Sequence, residues 1–175
     1  MSGHNKWTQI KRKKEKTDGQ KAKIFGKFAR LITEEARKAG GNLSSPALKA
    51  TIDRAKEANM PADNILRAVK KATEKGAALE QATYEAYGPG GVAILVEVLT
   101  DNKNRTAQEI KALLAKHNLA LAAPGSASWA FEGAPGAKTA TATIPLLDED
   151  IKLLELLEEA FDMNEDIQNV FTNAE

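Results

Sequence analysis

The beginning of this chain is rich in lysine and arginine, whose positive side chains can bind polyanions. The first thirty residues carry only two carboxylates, Glu15 and Asp18, so this segment repels itself unless a polyanion such as nucleic acid neutralises it. The indole of Trp7 can stack on an exposed base, and the imidazole of His4 can hydrogen-bond a phosphate. We therefore predict a nucleic-acid-binding site of twelve residues: His4, Lys6, Trp7, Lys11, Arg12, Lys13, Lys14, Lys16, Lys21, Lys23, Lys27 and Arg30.

The charge of the whole chain is sorted by position, although its net value is only +1. Residues 1–75 hold 19 Lys and Arg against 8 Asp and Glu, whereas residues 76–175 hold 6 against 16. The main alternative to nucleic acid is therefore a protein–protein adaptor. In that reading the basic head docks on an acidic protein or on a second copy, and the acidic C-terminal half binds a protein partner.

A second candidate site is a polar segment that joins a predicted strand to a predicted helix. It consists of Asp101, Asn102, Lys103, Asn104 and Arg105. Loops between rigid elements often carry functional groups, and a guanidinium can form a bidentate contact with a phosphate. A turn followed by a helix cap explains part of the same segment, so both interpretations stay open.

The sequence offers little for catalysis. There is no cysteine, the two histidines are 113 positions apart, and the glycine cluster at 88–91 lacks the Gly-Lys-Ser/Thr ending of a phosphate loop. The carboxylates at 148–166 show no metal-ligand spacing, so a hydrolase that uses a divalent cation is a minor alternative. We expect no enzyme activity, cofactor, metal or small-molecule substrate. The longest aliphatic run, 92–96, is too short for a membrane span, so we expect a cytoplasmic protein.

The spacing of apolar residues predicts the elements that position these groups. Residues 1–20 are predicted to be a basic arm, and residues 21–76 a bundle of three helices with apolar stripes. Residues 77–175 are predicted to be an α+β domain. Its predicted strands cover 92–100, 126–131, 139–145 and 167–171, with helices from Thr106 and Asp148. This order is that of a ferredoxin-like split βαβ sandwich.

Several segments resemble the YebC/PmpR family. The opening SGHNKW at 2–7 is similar to the family's GHSKW start, and YEAYGPGG at 84–91 is similar to its YEGYGPGG block. The segments NMPAD at 59–63, LTDNKNRT at 99–106 and QNVFTN at 168–173 resemble further family blocks, in the family's order. This chain departs from the pattern because residues 132–138 replace an additional α/β domain.

The resemblance implies a helical first domain followed by α/β structure. It also implies a regulator of gene expression that binds DNA in transcription, or a ribosome-associated translation factor that binds ribosomal RNA and relieves stalled synthesis. Nothing in the residues chooses between DNA and RNA, and the resemblance favours the ribosome.

Overall fold

The computed structural model describes residues 17–76 and 78–175. Three helices come first, and a mixed α+β part follows them. The helices are α1 (Asp18–Lys38), α2 (Pro46–Glu57) and α3 (Ala62–Lys71). The later elements are β1 (Glu80–Tyr87), β2 (Ala93–Thr100), α4 (Lys103–Lys116), β3 (Phe131–Glu132), β4 (Thr139–Ala140), α5 (Asp148–Asp162) and β5 (Ile167–Thr172). The predicted α+β class, with helices before a sheet, is confirmed.

Helix α1 begins three residues earlier than the sequence pattern predicted. The Thr17 hydroxyl accepts a hydrogen bond from the backbone N–H of Gln20, and the Gln20 side chain accepts one from the backbone N–H of Thr17. This reciprocal capping box satisfies two backbone donors that the helix leaves open. Residues 18–20 of the predicted arm are therefore the first turn of α1.

The three helices enclose one apolar core. Ile32 of α1, Leu48 of α2 and Ile65 of α3 are buried in it, and Met60 closes it between α2 and α3. The Thr33 hydroxyl donates a hydrogen bond of 2.9 Å to the carbonyl of Ala68, which ties α1 to α3. The predicted bundle of three helices with inward apolar stripes is therefore present.

The sheet has three antiparallel strands in the order β1-β2-β5. The central strand β2 is buried on both faces. Ile94 and Val96 face a core that includes Leu157 and Phe161 of α5, whereas Leu95 faces a smaller cluster with Phe131. The sheet and its two helices thus form a second core, separate from that of the bundle.

The strand order differs from the predicted ferredoxin-like β-α-β-β-α-β order in two places. Strand β1 was not predicted, because carboxylate and amide side chains interrupt its apolar alternation. The predicted strands at 126–131 and 139–145 shrink to the two-residue strands β3 and β4, which form a separate ladder. The reason lies partly in Glu85 of β1. Its carboxylate accepts hydrogen bonds from the backbone N–H groups of Ala127 and Ser128, so these groups are not available to a strand ladder.

Glu85 is a buried carboxylate that organises this loop. It also accepts a hydrogen bond of 2.7 Å from the backbone N–H of Gly125. Burial opposes ionisation of Glu85, but the backbone donors together outweigh burial and lower the pKa of its carboxyl. The loop from residue 125 to 128 is therefore held by an ionised side chain instead of a strand partner.

The connection between β3 and β4 is short. It spans residues 133–138, and the described residues contain no further α/β unit at this point. Gly136 donates its backbone N–H to Glu97 of β2 at 2.8 Å, which holds the connection against the sheet. This turn lies where the sequence departs from the family pattern, and the absence of an additional domain stays a prediction.

Candidate nucleic-acid interface

The structure describes four of the twelve residues predicted to bind nucleic acid, and all four lie on α1. Lys21 is exposed and forms no ion pair with a described residue. Lys23, Lys27 and Arg30 follow at helical spacing along one face of the helix. The other eight lie outside the described residues: His4, Lys6, Trp7, Lys11, Arg12, Lys13, Lys14 and Lys16.

An acidic turn meets the basic face of α1. We define the acidic turn as residues 162–166, between α5 and β5. Lys23 Nζ lies 3.4 Å from Oε1 of Glu165, and Lys27 Nζ lies 3.5 Å from Oδ1 of Asp162. Arg30 Nη1 lies 3.0 Å from Oδ1 of Asp166. The acidic half of the molecule therefore engages the basic helix, at the side chains that were predicted to bind nucleic acid.

The close approach of α1 to this turn depends on a glycine. A Cβ atom at Gly26 would lie 3.1 Å from Cδ of Glu165 and 3.3 Å from its Oε1. Contacts of this length require the neighbouring side chain to move. Gly26 therefore allows the helix and the turn to lie side by side.

Asp166 is the most deeply buried carboxylate of the acidic turn. Its Oδ2 accepts hydrogen bonds from Arg105 Nη2 at 2.7 Å, from the Thr106 hydroxyl at 2.7 Å and from the Thr100 hydroxyl at 3.0 Å. Burial raises the pKa of Asp166, but the hydrogen bonds and the charge of Arg30 outweigh burial and lower it overall. Asp166 is thus an ionised centre that joins the bundle to the sheet.

The segment Asp101–Arg105 is not the polar loop that the sequence predicted. Helix α4 already begins at Lys103, because the side chain of Asn102 accepts a hydrogen bond from the backbone N–H of Arg105 at 3.0 Å. The helix therefore begins three residues before Thr106, where the sequence predicted its start. The Thr106 hydroxyl donates to Asp166 from within α4.

The cations of this segment have partners inside the molecule. Arg105 lies 2.9 Å from Asp101 as well as 2.7 Å from Asp166, and these carboxylates raise its pKa. Lys103 Nζ lies 2.6 Å from Oε2 of Glu80. The fold therefore uses these charges for its own stability, and a contact of this segment with phosphate stays a prediction.

A second set of cations lies along a groove between α1 and α3. The groove has a volume of about 690 Å³. Its cationic lining residues are Arg30, Arg37, Arg67, Lys71 and Lys75. The sequence shows several of them on the polar faces of the helices, but it does not show that α1 and α3 bring them together. A signal was present in the i, i+4 spacing of Arg67 and Lys71, which places both side chains on one face of α3.

The described residues contain no cluster of three or more His, Cys, Asp or Glu side chains that could hold a metal ion. No helix in the described part is long and apolar enough to cross a bilayer.

Comparison with known proteins assigns the chain to a family. Residues 5–75 match the family model described as the TACO1/YebC protein N-terminal domain, and residues 79–135 match the TACO1/YebC second and third domain. A crystal structure of a conserved hypothetical protein from Aquifex aeolicus superposes with a TM-score of 0.83 at 29% sequence identity. That superposition covers 97% of this chain and 96% of the other.

Three similar curated relatives are each named "Probable transcriptional regulatory protein". The relative from Pelotomaculum thermopropionicum is 51% identical over 75% of this chain and 56% of its own length. Those from Fervidobacterium nodosum and Petrotoga mobilis are 46% and 48% identical, over 85% and 90% of this chain. The matches span 60% and 62% of those two relatives, so this chain covers little more than half of the proteins it resembles. On the motifs, the fold and these matches, the chain belongs to the TACO1/YebC family.

Proposed function

We propose that this protein is a non-enzymatic, cytoplasmic regulator of gene expression that binds nucleic acid through its basic arm and its helical bundle. The observation that carries the proposal is the set of cations on α3 and just after it. Arg67, Lys70, Lys71 and Lys75 are all exposed, and none forms an ion pair with residues 17–76 or 78–175. Since the fold does not use these charges internally, they are available to phosphates.

The basic arm precedes the bundle in the sequence, and Ala22 and Phe25 near the start of α1 line the groove of the bundle. We expect the arm and the bundle to act together as the basic end of the molecule. The acidic turn meets α1 at Lys23, Lys27 and Arg30, and its Glu165 borders the groove. A polyanion is therefore expected to approach the basic end from the arm and from α3.

We propose ribosomal RNA as the physiological target, and promoter DNA as the alternative. The resemblance to ribosome-associated relatives supports RNA, and so does a single tryptophan within a lysine-rich arm, which suits exposed bases. The names of the curated relatives point to transcription. Crosslinking of the arm in cells, followed by sequencing of the attached strand, separates the two, because promoter fragments in place of ribosomal RNA would exclude the first.

The binding itself is tested by affinity measurements across salt concentrations. Each phosphate contact contributes about −0.7 to the log–log slope on a single strand and about −0.9 on duplex DNA. Changing Lys11, Lys13 and Lys14 to Gln should therefore make the slope less steep by about 2 on a single strand.

The matched control removes three charges elsewhere, by changing Lys111, Lys116 and Lys152 to Gln. These lysines are exposed on the sheet half and form no ion pair with a described residue. Equal slopes for the two triple variants, or no affinity of the parent for any nucleic acid, would contradict the proposal.

The adaptor function is the second candidate, and an apolar strip on the acidic half favours it. Leu147, Leu153, Leu156 and Met163 are each about half exposed or more, on and beside α5. Exposed apolar side chains of this kind are typical of contact surfaces when they are contiguous. Sedimentation at low and high salt without nucleic acid distinguishes the two functions, since an adaptor that pairs head to tail would dissociate as salt rises.

A further inference from the structure

The groove between α1 and α3 is lined by cationic side chains that have no carboxylate partner within the described part of the molecule. Arg67, Lys71 and Lys75 line it without an ion pair to any described residue. Arg30 is also present, but its guanidinium is held by Asp166 at 3.0 Å. The three unpaired cations come from α3 and the segment after it, so they lie along one wall of the groove.

Arg37 adds a donor that is not satisfied within the molecule. Its Nη1 is a buried atom without a hydrogen-bond acceptor among the described residues. The nearest carboxylate oxygen belongs to Glu34 and lies 3.6 Å away, whereas charge-assisted hydrogen bonds measure about 2.7–2.9 Å. Oε2 of Glu34 is equally buried and also has no hydrogen-bond partner among the described residues, so the two side chains form a loose ion pair, and Arg37 is not counted among the free cations of the groove.

The carboxylates of the groove do not cancel this charge. Asp101 is paired with Arg105 at 2.9 Å, and Glu165 is paired with Lys23 at 3.4 Å. Glu74 is exposed and lies next to Lys75 in the chain. After the internal pairs are taken into account, the groove keeps an excess of positive charge.

We infer that this groove is a subsite for the phosphates of a single-stranded stretch of nucleic acid. The inference rests on the proposed nucleic-acid function. It adds that the bundle binds nucleic acid in single-stranded form. Ala22 and Phe25, near the beginning of α1, line the same groove, and the predicted basic arm precedes α1 in the sequence.

The shape of the groove favours a single strand over a duplex. It is a concave space between α1 and α3 that Leu79, Asp101 and Glu165 of the α+β part border, and its volume lies in the usual range of about 300–1,000 Å³ for ligand pockets. A single strand can bend its backbone into such a space and place bases against side chains, which paired and stacked bases cannot do. The half-buried ring of Phe25 offers an apolar surface for this contact.

The test compares two double variants that remove the same charge. R67Q/K71Q acts in the groove. K49Q/K56Q removes two exposed lysines of α2 that do not line it and that form no ion pair with a described residue. The probes are a fluorescent twelve-nucleotide oligouridylate and a twelve-base-pair RNA duplex, titrated across salt.

The groove variant is expected to bind oligouridylate about tenfold more weakly than the control variant, and its salt slope should fall by about 1.4. Its affinity for the duplex should stay within about twofold of the control. A third variant, R67K/K71R, keeps both charges and should restore the binding of oligouridylate, which shows that the loss is electrostatic and not due to misfolding.

Several results would overturn the inference. Equal affinity of R67Q/K71Q and K49Q/K56Q for oligouridylate would exclude the groove while leaving the arm as the binding site. If R67Q/K71Q lost affinity equally for oligouridylate and for the RNA duplex, the groove would have no preference for single-stranded RNA. Displacement of the oligouridylate by oligoglutamate of equal charge would assign the groove to acidic peptides. A parent that binds neither RNA would overturn the inference, and a parent that binds no DNA either would refute the proposed function itself.

Discussion

Asp166 illustrates how one side chain can join two parts of a protein. Its Oδ1 meets Arg30 of the bundle, while its Oδ2 accepts hydrogen bonds from Thr100, Arg105 and Thr106 of the α+β part. A buried carboxylate is costly unless it is paired and hydrogen-bonded, and Asp166 has both kinds of partner. Removing the charge would leave two guanidinium groups without their shared anion.

We predict that Asp166→Asn lowers the free energy of unfolding by about 2–3 kcal/mol, as expected for the loss of hydrogen bonds to a charged, buried group. The control is Asp162→Asn, which removes a more exposed partner of Lys27 and should cost less than about 1 kcal/mol. Urea unfolding at neutral pH measures both.

The same comparison has a defined pH dependence. Because the pKa of Asp166 is lowered in the folded protein, its charge stabilises the fold above its unfolded pKa of about 3.9, and this contribution is lost as pH falls through the folded pKa. The difference between parent and Asp166→Asn should therefore shrink as pH falls below about 4. A difference that is small at neutral pH, or unchanged down to pH 3, would contradict the role given to this carboxylate.

At the scale of elements, the acidic turn and helix α1 form an electrostatic contact that a polyanion can compete for. Lys23 lies 3.4 Å from Glu165, and Lys27 lies 3.5 Å from Asp162. Lys23 and both carboxylates are partly exposed, whereas the Lys27 side chain is mostly buried. Ion pairs whose carboxylates are solvent-exposed contribute little to stability and are screened by salt. Asp162 and Glu165 are therefore better placed to reduce the affinity of α1 for phosphates than to hold the fold together, which is the role of Asp166 in the same turn.

We predict that Asp162→Asn combined with Glu165→Gln raises the affinity for oligouridylate about threefold at low salt, since two competing carboxylates are removed. The matched control is Glu149→Gln with Glu155→Gln on α5, which changes the net charge equally but forms no ion pair with a described residue. Fluorescence titration compares the variants. If both bind equally, the gain reflects net charge alone, and the acidic turn does not compete with nucleic acid.

At the scale of the whole molecule, the protein has two large apolar cores joined by a polar contact. The core of the bundle contains Leu48, and the core of the sheet contains Leu157, both fully buried. The contact between the two parts includes the ion pairs of α1 with the acidic turn. Parts with separate cores can open separately, because few apolar contacts couple them.

We predict that Leu48→Ala costs about 2–5 kcal/mol, the usual range for a large-to-small change in a core, and that the cost falls on the bundle. Hydrogen exchange should become faster in α1, α2 and α3, while β2 and β5 keep most of their protection.

Leu157→Ala serves as the reciprocal control and should loosen the sheet more than the bundle. Equal loss of protection in both parts for both variants would show that the molecule unfolds as a single unit.

The local features of the fold follow from short stretches of sequence. The apolar spacing in residues 21–76 predicts three helices, and the continuous apolar run at 92–100 predicts the central strand. Their main signals lie within a few neighbouring residues. Strand β1 and the segment 126–131 could not be predicted in this way. Strand β1 is held by its pairing with β2 along its whole length. The segment 126–131 is shaped by Glu85, whose carboxylate accepts hydrogen bonds from N–H groups about 40 positions further along the chain.

The candidate nucleic-acid interface likewise has features that the sequence predicts and features that depend on the tertiary structure. The amino-acid order alone establishes an excess of cations at one end, an excess of carboxylates at the other and the absence of cysteine, because these are properties of composition and position. The folded structure, in contrast, determines which of these cations have no carboxylate partner inside the molecule. Lys23 meets a carboxylate 142 positions away, whereas Arg67 and Lys71 meet none among the described residues. Coulomb interactions depend on distance in space, and only the docking of the bundle on the sheet sets those distances.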